Sequence, residues 1–229
     1  MRKVWLAPWL LTSALLCGCR QPEPASQPPP HPVPEVSTPA TVAPADTRPV
    51  IACFGDSITA GFRLDPGESF PDLLQQDLDQ RGYHYRVLNL GISGDTTQDG
   101  LARLPLLLAE KPTLVVLELG GNDGLRGLPV SVTESNLAQM IEAIQKSGAR
   151  VVLAGMTLPP NYGPAYIRKF EAVYRDLAAR YRLPLIPFLL VGVGGNPNFM
   201  QPDGLHPNRA GARLVEATLM KTLAPLLKR

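Results

Sequence analysis

Residues 49–59, PVIACFGDSIT, decide the fold: an unbroken apolar run from Pro49 to Phe54 stops abruptly at Gly55-Asp56-Ser57. Four more such runs follow, Val87–Leu90, Leu114–Leu119, Val151–Ala154 and Leu185–Phe188. They do not alternate apolar with polar residues, which is the pattern of strands covered on both faces in a parallel sheet. Between the runs, apolar residues recur at helical spacing. Phe70, Leu73, Leu74 and Leu78 share one face; Leu137, Met140, Ile141 and Ile144 share another; Tyr166, Phe170, Val173, Tyr174 and Leu177 share a third. Ser131 and Glu134 have capping-box spacing at the start of the second of these helices. A last helix is expected from about Asn208 to Leu227. Strands alternating with helices, joined by right-handed crossovers, predict an α/β fold built as a three-layer α/β/α sandwich.

The polar segments fall at one end of that sheet. Gly55-Asp56-Ser57 closes the first strand, Ser93-Gly94-Asp95-Thr96 the second and Gly120-Gly121-Asn122-Asp123 the third, while Asp203 and His206 lie in the Gly/Pro-rich loop after the fifth. These are carboxyl ends, where ligands bind in open α/β sheets. A serine hydroxyl there is a weak nucleophile until a base takes its proton. His206 is the expected base, and Asp203, three residues earlier, is the expected carboxylate that orients the imidazole. A serine in this position is also a common helix cap, and the neighbouring motifs tilt the reading toward the nucleophile. Asp56 adjoins the serine and reads as a turn residue. Asp203-Gly204 favours a tight turn, Pro207 keeps His206 out of a helix, and Asn208 is placed to cap the helix that follows.

Acyl transfer also needs donors aimed at the developing oxyanion. The N–H groups of Ser57 and Gly94 and the side-chain amide of Asn122 are the candidates. A residue without Cβ, such as Gly94, lets the backbone approach closely. His84, in a polar turn, has no carboxylate patterned to it, and His31 lies in a proline-rich stretch. Glu118 inside an apolar strand calls for a hydrogen-bonded or charge-paired partner that the sequence does not name.

Taken in order, GDSIT (55–59), SGDT (93–96), GGND (120–123) and DGLHP (203–207) resemble the four blocks of the GDSL, or SGNH, hydrolase family. The longer stretches LGISGDTTQDGLARLP, ELGGNDGLRGLP, LPPNYG and DGLHPN resemble its bacterial arylesterase and thioesterase I/lysophospholipase L1 branch. Ile58 departs from the leucine of the family's name, at an interchangeable apolar position. The resemblance covers residues 49–229. It implies a flavodoxin-like five-stranded parallel sheet, no metal or other cofactor, and ester or thioester hydrolysis through an acyl-enzyme. It also implies an acyl groove lined by Leu158, Pro159 and Tyr162, with residues 124–129 as its mobile wall. A carbohydrate O-deacetylase of the same fold is the alternative activity, and a non-catalytic ligand-binding lipoprotein the alternative class.

Other classes are excluded. Thr59 stands where the last glycine of G-x-S-x-G would be, so the α/β-hydrolase elbow is absent. There is no HExxH, paired CxxC or Walker loop, and Gly192-Val193-Gly194-Gly195 runs into Asn196-Pro197 rather than opening a helix. Residues 49–229 carry 18 Lys+Arg against 17 Asp+Glu, with no basic patch, so nucleic acid is not an expected partner. The expected partners are a small ester or lipid substrate and a membrane, and the catalytic domain is expected to be monomeric.

The membrane enters through the front of the chain. Arg2-Lys3, an apolar stretch from Val4 to Cys17, and Leu16-Cys17-Gly18-Cys19 read as a lipoprotein-type signal over 1–18, too short to span a bilayer, with Cys19 as the lipidated residue. Residues 20–49 hold 10 of the 25 prolines, and 19–48 reads as a disordered spacer between membrane and enzyme. The expected location is the periplasmic side of a bacterial envelope. Cys53, in the first strand, is expected to be a buried thiol.

Overall fold

The structure is a computed structural model in which residues 46–228 are described. The expected signal segment, the lipidation site Cys19, His31 and the spacer before residue 46 lie outside the described residues. Five strands form one parallel sheet: β1 (Val50–Gly55), β2 (Arg86–Gly91), β3 (Leu114–Glu118), β4 (Arg150–Ala154) and β5 (Leu185–Ile186), in the order β2-β1-β3-β4-β5. The helices are α1 (Ser57–Ala60), α2 (Phe70–Gln80), α3 (Thr97–Ala109), α4 (Gly121–Leu125), α5 (Val130–Lys146), α6 (Pro164–Tyr181) and α7 (Arg209–Leu223).

The unbroken apolar runs do what two-sided burial requires: every residue of β1 and of β3 is buried. Cys53 is buried and free. β2 differs, with side chains only partly buried and Asn89 exposed, because it is an edge strand. The order 2-1-3-4-5 reverses direction at β1, so the crevice between the ends of β1 and β3 is the topological switch point of the sheet.

Helix ends correct two expectations. No capping box forms at Ser131 and Glu134; α5 begins two residues earlier, with Pro129 rather than Ser131 at its N-cap, and Glu134 instead pairs with Arg180 at 2.9 Å. Boxes form at Ser69/Asp72 on α2 and Thr96/Asp99 on α3, each worth about 1 kcal/mol. The last helix stops at Leu223 and a short 3₁₀ turn, Ala224–Leu226, follows it, with Asn208 capping its start as the sequence suggested. α3 escaped periodicity altogether, since Gly100 and Pro105 interrupt its pattern.

Candidate active site

Ser57 opens α1 directly after β1. Asp56 turns the chain there: its Oδ1 accepts the Ile58 N–H at 3.0 Å, as an N-cap does. Gly55 allows the turn to sit tight on β3, because a Cβ at that position would lie 2.4 Å from Glu118 Oε2 and 2.1 Å from Thr59 Oγ1. The Ser57 hydroxyl meets His206 Nε2 at 2.8 Å, and His206 Nδ1 meets Asp203 Oδ2 at 2.8 Å. The other oxygen, Asp203 Oδ1, accepts the N–H groups of Leu205 (2.9 Å) and His206 (3.0 Å). Burial alone would raise the Asp203 carboxyl; the hydrogen bonds from the His206 ring and from the two backbone N–H groups outweigh it and hold the pKa at about 2. Asp203 is therefore an anion while the imidazole it holds is free to exchange a proton with Ser57.

The second strand ends in a turn closed by the Asp95 N–H on the Ile92 carbonyl. Gly94, its third residue, has φ +90°, the arrangement of a type II turn and one that side chains resist. Asn122 joins this turn to the nucleophile: its Nδ2 donates to the Asp95 carbonyl at 2.9 Å and to Asp56 Oδ2 at 3.2 Å. The three expected oxyanion donors thus share one corner. Among the described residues, no group of the chain accepts the N–H of Ser57 or of Gly94.

Two residues not assigned to the site from the sequence build this corner. Arg103, on α3, is a strut: it donates to Asp95 Oδ2 (2.5 Å), the Leu90 carbonyl (2.8 Å) and the Gly55 carbonyl (2.8 Å), with its guanidinium 4.0 Å from the centre of the Phe54 ring. Thr59 answers the question of Glu118. Its hydroxyl donates to Glu118 Oε2 at 2.7 Å, and the Asp56 N–H reaches the same oxygen at 3.2 Å. Glu118 is hydrogen-bonded, as expected, but with no cation beside it among its contacts in the described residues. Full burial, reinforced by the negative charge of Asp56, pushes its carboxyl well above the ordinary range and favours the protonated form. Burial likewise raises Asp56, to about 6, against the Ile58 N–H that stabilises its anion. Asp123 of the third block is buried too, and accepts from the Thr97 N–H (2.8 Å), the Thr97 hydroxyl and the Thr133 hydroxyl (3.3 Å), tying α3, α4 and α5 together.

A cavity of about 500 Å³ opens beside Ser57 and His206. Leu125, Met156, Leu158, Pro159, Phe188 and Met200 supply apolar wall, so two of the three expected groove residues line it. Tyr162 does not. It stands one layer back, where its hydroxyl donates to the Leu125 carbonyl at 2.7 Å. Tyr166 does the same to Leu128 at 2.9 Å, and Arg126 Nη2 reaches the Gly94 carbonyl at 2.8 Å, so the segment expected to be a mobile wall is tied at three points.

Comparisons with known proteins bear on the family of the chain. The chain is 52% identical over 174 residues to "Esterase TesA" of Pseudomonas aeruginosa, covering 76% of this chain and 87% of that one. It is 41% identical over 186 residues to "Thioesterase 1/protease 1/lysophospholipase L1" of Escherichia coli, covering 81% and 86%. A crystal structure of the psychrotrophic esterase EstA from Pseudoalteromonas sp., inhibited by monoethylphosphonate, superposes with a TM-score of 0.74 at 32% identity, covering 77% and 97%. The profile of the GDSL-like Lipase/Acylhydrolase family matches residues 53–214, the span that holds all four blocks and both walls of the cavity. With that span matched and relatives of this identity, the chain belongs to the GDSL-like lipase/acylhydrolase family.

Proposed function

We propose that this domain is a serine esterase that hydrolyses aryl and acyl carboxylic esters, and thioesters or lysophospholipids that fit the same cavity, through an acyl-enzyme on Ser57. One observation carries the reading: a hydroxyl, an imidazole and a carboxylate stand in line at 2.8 Å and 2.8 Å, with the carboxylate held ionised. His206 Nε2 takes the Ser57 proton as Oγ attacks the acyl carbon. The carbonyl electrons move onto oxygen, which the N–H groups of Ser57 and Gly94 stabilise, joined by the Asn122 amide as it gives up its 3.2 Å bond to Asp56. Collapse breaks the bond to the leaving alcohol or thiol, which receives the proton from His206. Water then repeats the sequence, releasing the acid and restoring Ser57. Asp203 keeps the imidazole in the tautomer that has a bare Nε2 and stabilises the imidazolium between steps.

The apolar cavity favours a substrate with a hydrocarbon acyl chain over an acetylated sugar. The names of the relatives, an esterase and a thioesterase/lysophospholipase, point the same way. Turnover of p-nitrophenyl esters of graded acyl length, with one acyl thioester and one lysophospholipid alongside, tests it. Activity rising from acetyl toward longer chains is expected; activity confined to acetyl esters would transfer the enzyme to the deacetylase reading.

The front of the chain supports a further part of the proposal: cleavage after Gly18, lipidation of Cys19, and a proline-rich spacer that holds the enzyme off the periplasmic face of a bacterial membrane. Several acyl chains anchor a protein where one is marginal. Cys19→Ser should release the protein from membranes; retention would point to an uncleaved signal.

A further inference from the structure

Ser57 and His206 lie on segments far apart in sequence, and what fixes their separation is not contained in either motif. A closed circuit of hydrogen bonds joins them from behind. The Phe62 N–H donates to the carbonyl of Ser57 at 3.0 Å. The Phe62 carbonyl in turn accepts from Gln201 Nε2 at 2.7 Å. The same nitrogen donates to the Pro207 carbonyl at 2.9 Å, and the Gln201 N–H donates to the His206 carbonyl at 2.7 Å. Both hydrogens of one amide are therefore spent on two carbonyls, one next to the histidine and one on the turn that leaves the nucleophile helix. The Phe62 ring closes the gap from the side, its centre 4.5 Å from that of the His206 imidazole at a tilt of 41°.

From this juxtaposition we propose that Gln201 is a positioning residue for the hydrolytic reaction, setting the distance between Ser57 Oγ and His206 Nε2 with Phe62 as the wall against which the imidazole rests. The inference rests on the Ser57–His206 reading above. Gln201 touches neither proton nor substrate in this role. It acts on the two segments that carry the reacting atoms. A glutamine suits the task because it presents two donors on one planar nitrogen. Glutamate would aim oxygen at two carbonyl oxygens, and a shorter asparagine would not span them. A second consequence concerns the loop: Gly204 donates to the Gln201 carbonyl at 3.0 Å, so the turn that holds Asp203 starts from the same residue.

The test compares Gln201→Met, which keeps length and volume but removes both donors, with the full-length enzyme on a short p-nitrophenyl ester. Loss of register of even an ångström at a reacting pair is costly, so kcat should fall roughly 10- to 100-fold. KM should stay within about threefold, because the cavity that binds the acyl chain is untouched. Phe62→Leu removes the ring and leaves the backbone bond to Gln201, and should lower kcat several-fold, again with KM unchanged. It decides the matter if Gln201→Met does not fold. Wild-type kcat in a folded Gln201→Met enzyme, or a loss carried by KM, overturns the proposal; so does wild-type kcat in Phe62→Leu where that variant has to decide. Ser57→Ala run alongside separates the two levels: if it is inactive while Gln201→Met is normal, only the Gln201 role fails, and if it is active the nucleophile assignment itself fails.

Discussion

Asn122 Nδ2 sits 3.2 Å from Asp56 Oδ2 and 2.9 Å from the Asp95 carbonyl, so one amide is anchored to both the nucleophile's neighbour and the Gly94 turn. Both Nδ2 hydrogens are spent in this anchoring, so donation to an oxyanion requires release of the longer bond, the one to Asp56. A donor used in the transition state should affect kcat rather than binding. Asn122→Ala is expected to lower kcat by about 10²–10³ with little change in KM, measured by steady-state hydrolysis of a short aryl ester. A raised KM with kcat intact would make Asn122 a substrate-binding residue instead.

Asp203 is ionised down to about pH 2, so it faces the His206 ring as an anion. The sign for stability follows from the depressed value. The Asp203 contribution is present above the unfolded carboxyl pKa of about 3.9 and is lost as pH falls toward 2. Asp203→Asn should cut kcat by roughly 10²–10⁴. A kcat of Asp203→Asn within about threefold of the parent, measured on a short aryl ester, would contradict its orienting role.

Glu118 is a buried acid whose pKa burial raises in the fold, which makes its effect on stability pH-dependent in the opposite sense. Below the unfolded value, about 4.3, both states are protonated and nothing is lost. As pH rises, the unfolded chain ionises while the folded one resists, and stability falls by about 1.4 kcal/mol per pH unit until the raised folded pKa is passed. Glu118→Gln keeps an acceptor for Thr59 and Asp56 and removes the titration. Urea unfolding should find its advantage over the parent larger at pH 8 than at pH 5. An advantage that shrinks with rising pH would mean that Glu118 is ionised in the fold.

The Tyr162 hydroxyl supports the cavity from behind through the Leu125 carbonyl. Losing one hydrogen bond of about 1 kcal/mol corresponds to roughly a fivefold change. Tyr162→Phe is expected to lower kcat/KM about fivefold on long-chain esters while acetyl esters change less than twofold. Equal losses on both would place Tyr162 at the reacting centre rather than at the wall.

The catalytic motifs were legible because each sits at a strand end, and the unbroken runs that mark the strands also fix where the motifs converge. Asp203 and His206 were legible as a pair because they stand only three positions apart. What escaped was set by distance and by side-chain reach. Arg103 bridges three backbone segments from a helix whose glycine and proline hide its periodicity. Gln201 and Phe62 carry no motif, and their link exists only after the last loop folds over the first turn. The groove was partly legible, and only through the family resemblance: Leu158 and Pro159 line it, but an aromatic ring such as Tyr162 serves equally well on a wall or behind it, and its hydroxyl found a carbonyl first.

Phosphonylation with a p-nitrophenyl alkylphosphonate, followed by intact mass and peptide mapping, tests the central claim most directly. The account predicts one equivalent of p-nitrophenolate released per enzyme, a single adduct on Ser57, much slower labelling in His206→Ala and none in Ser57→Ala. An adduct on another residue, or Ser57→Ala that still turns over esters, would contradict it.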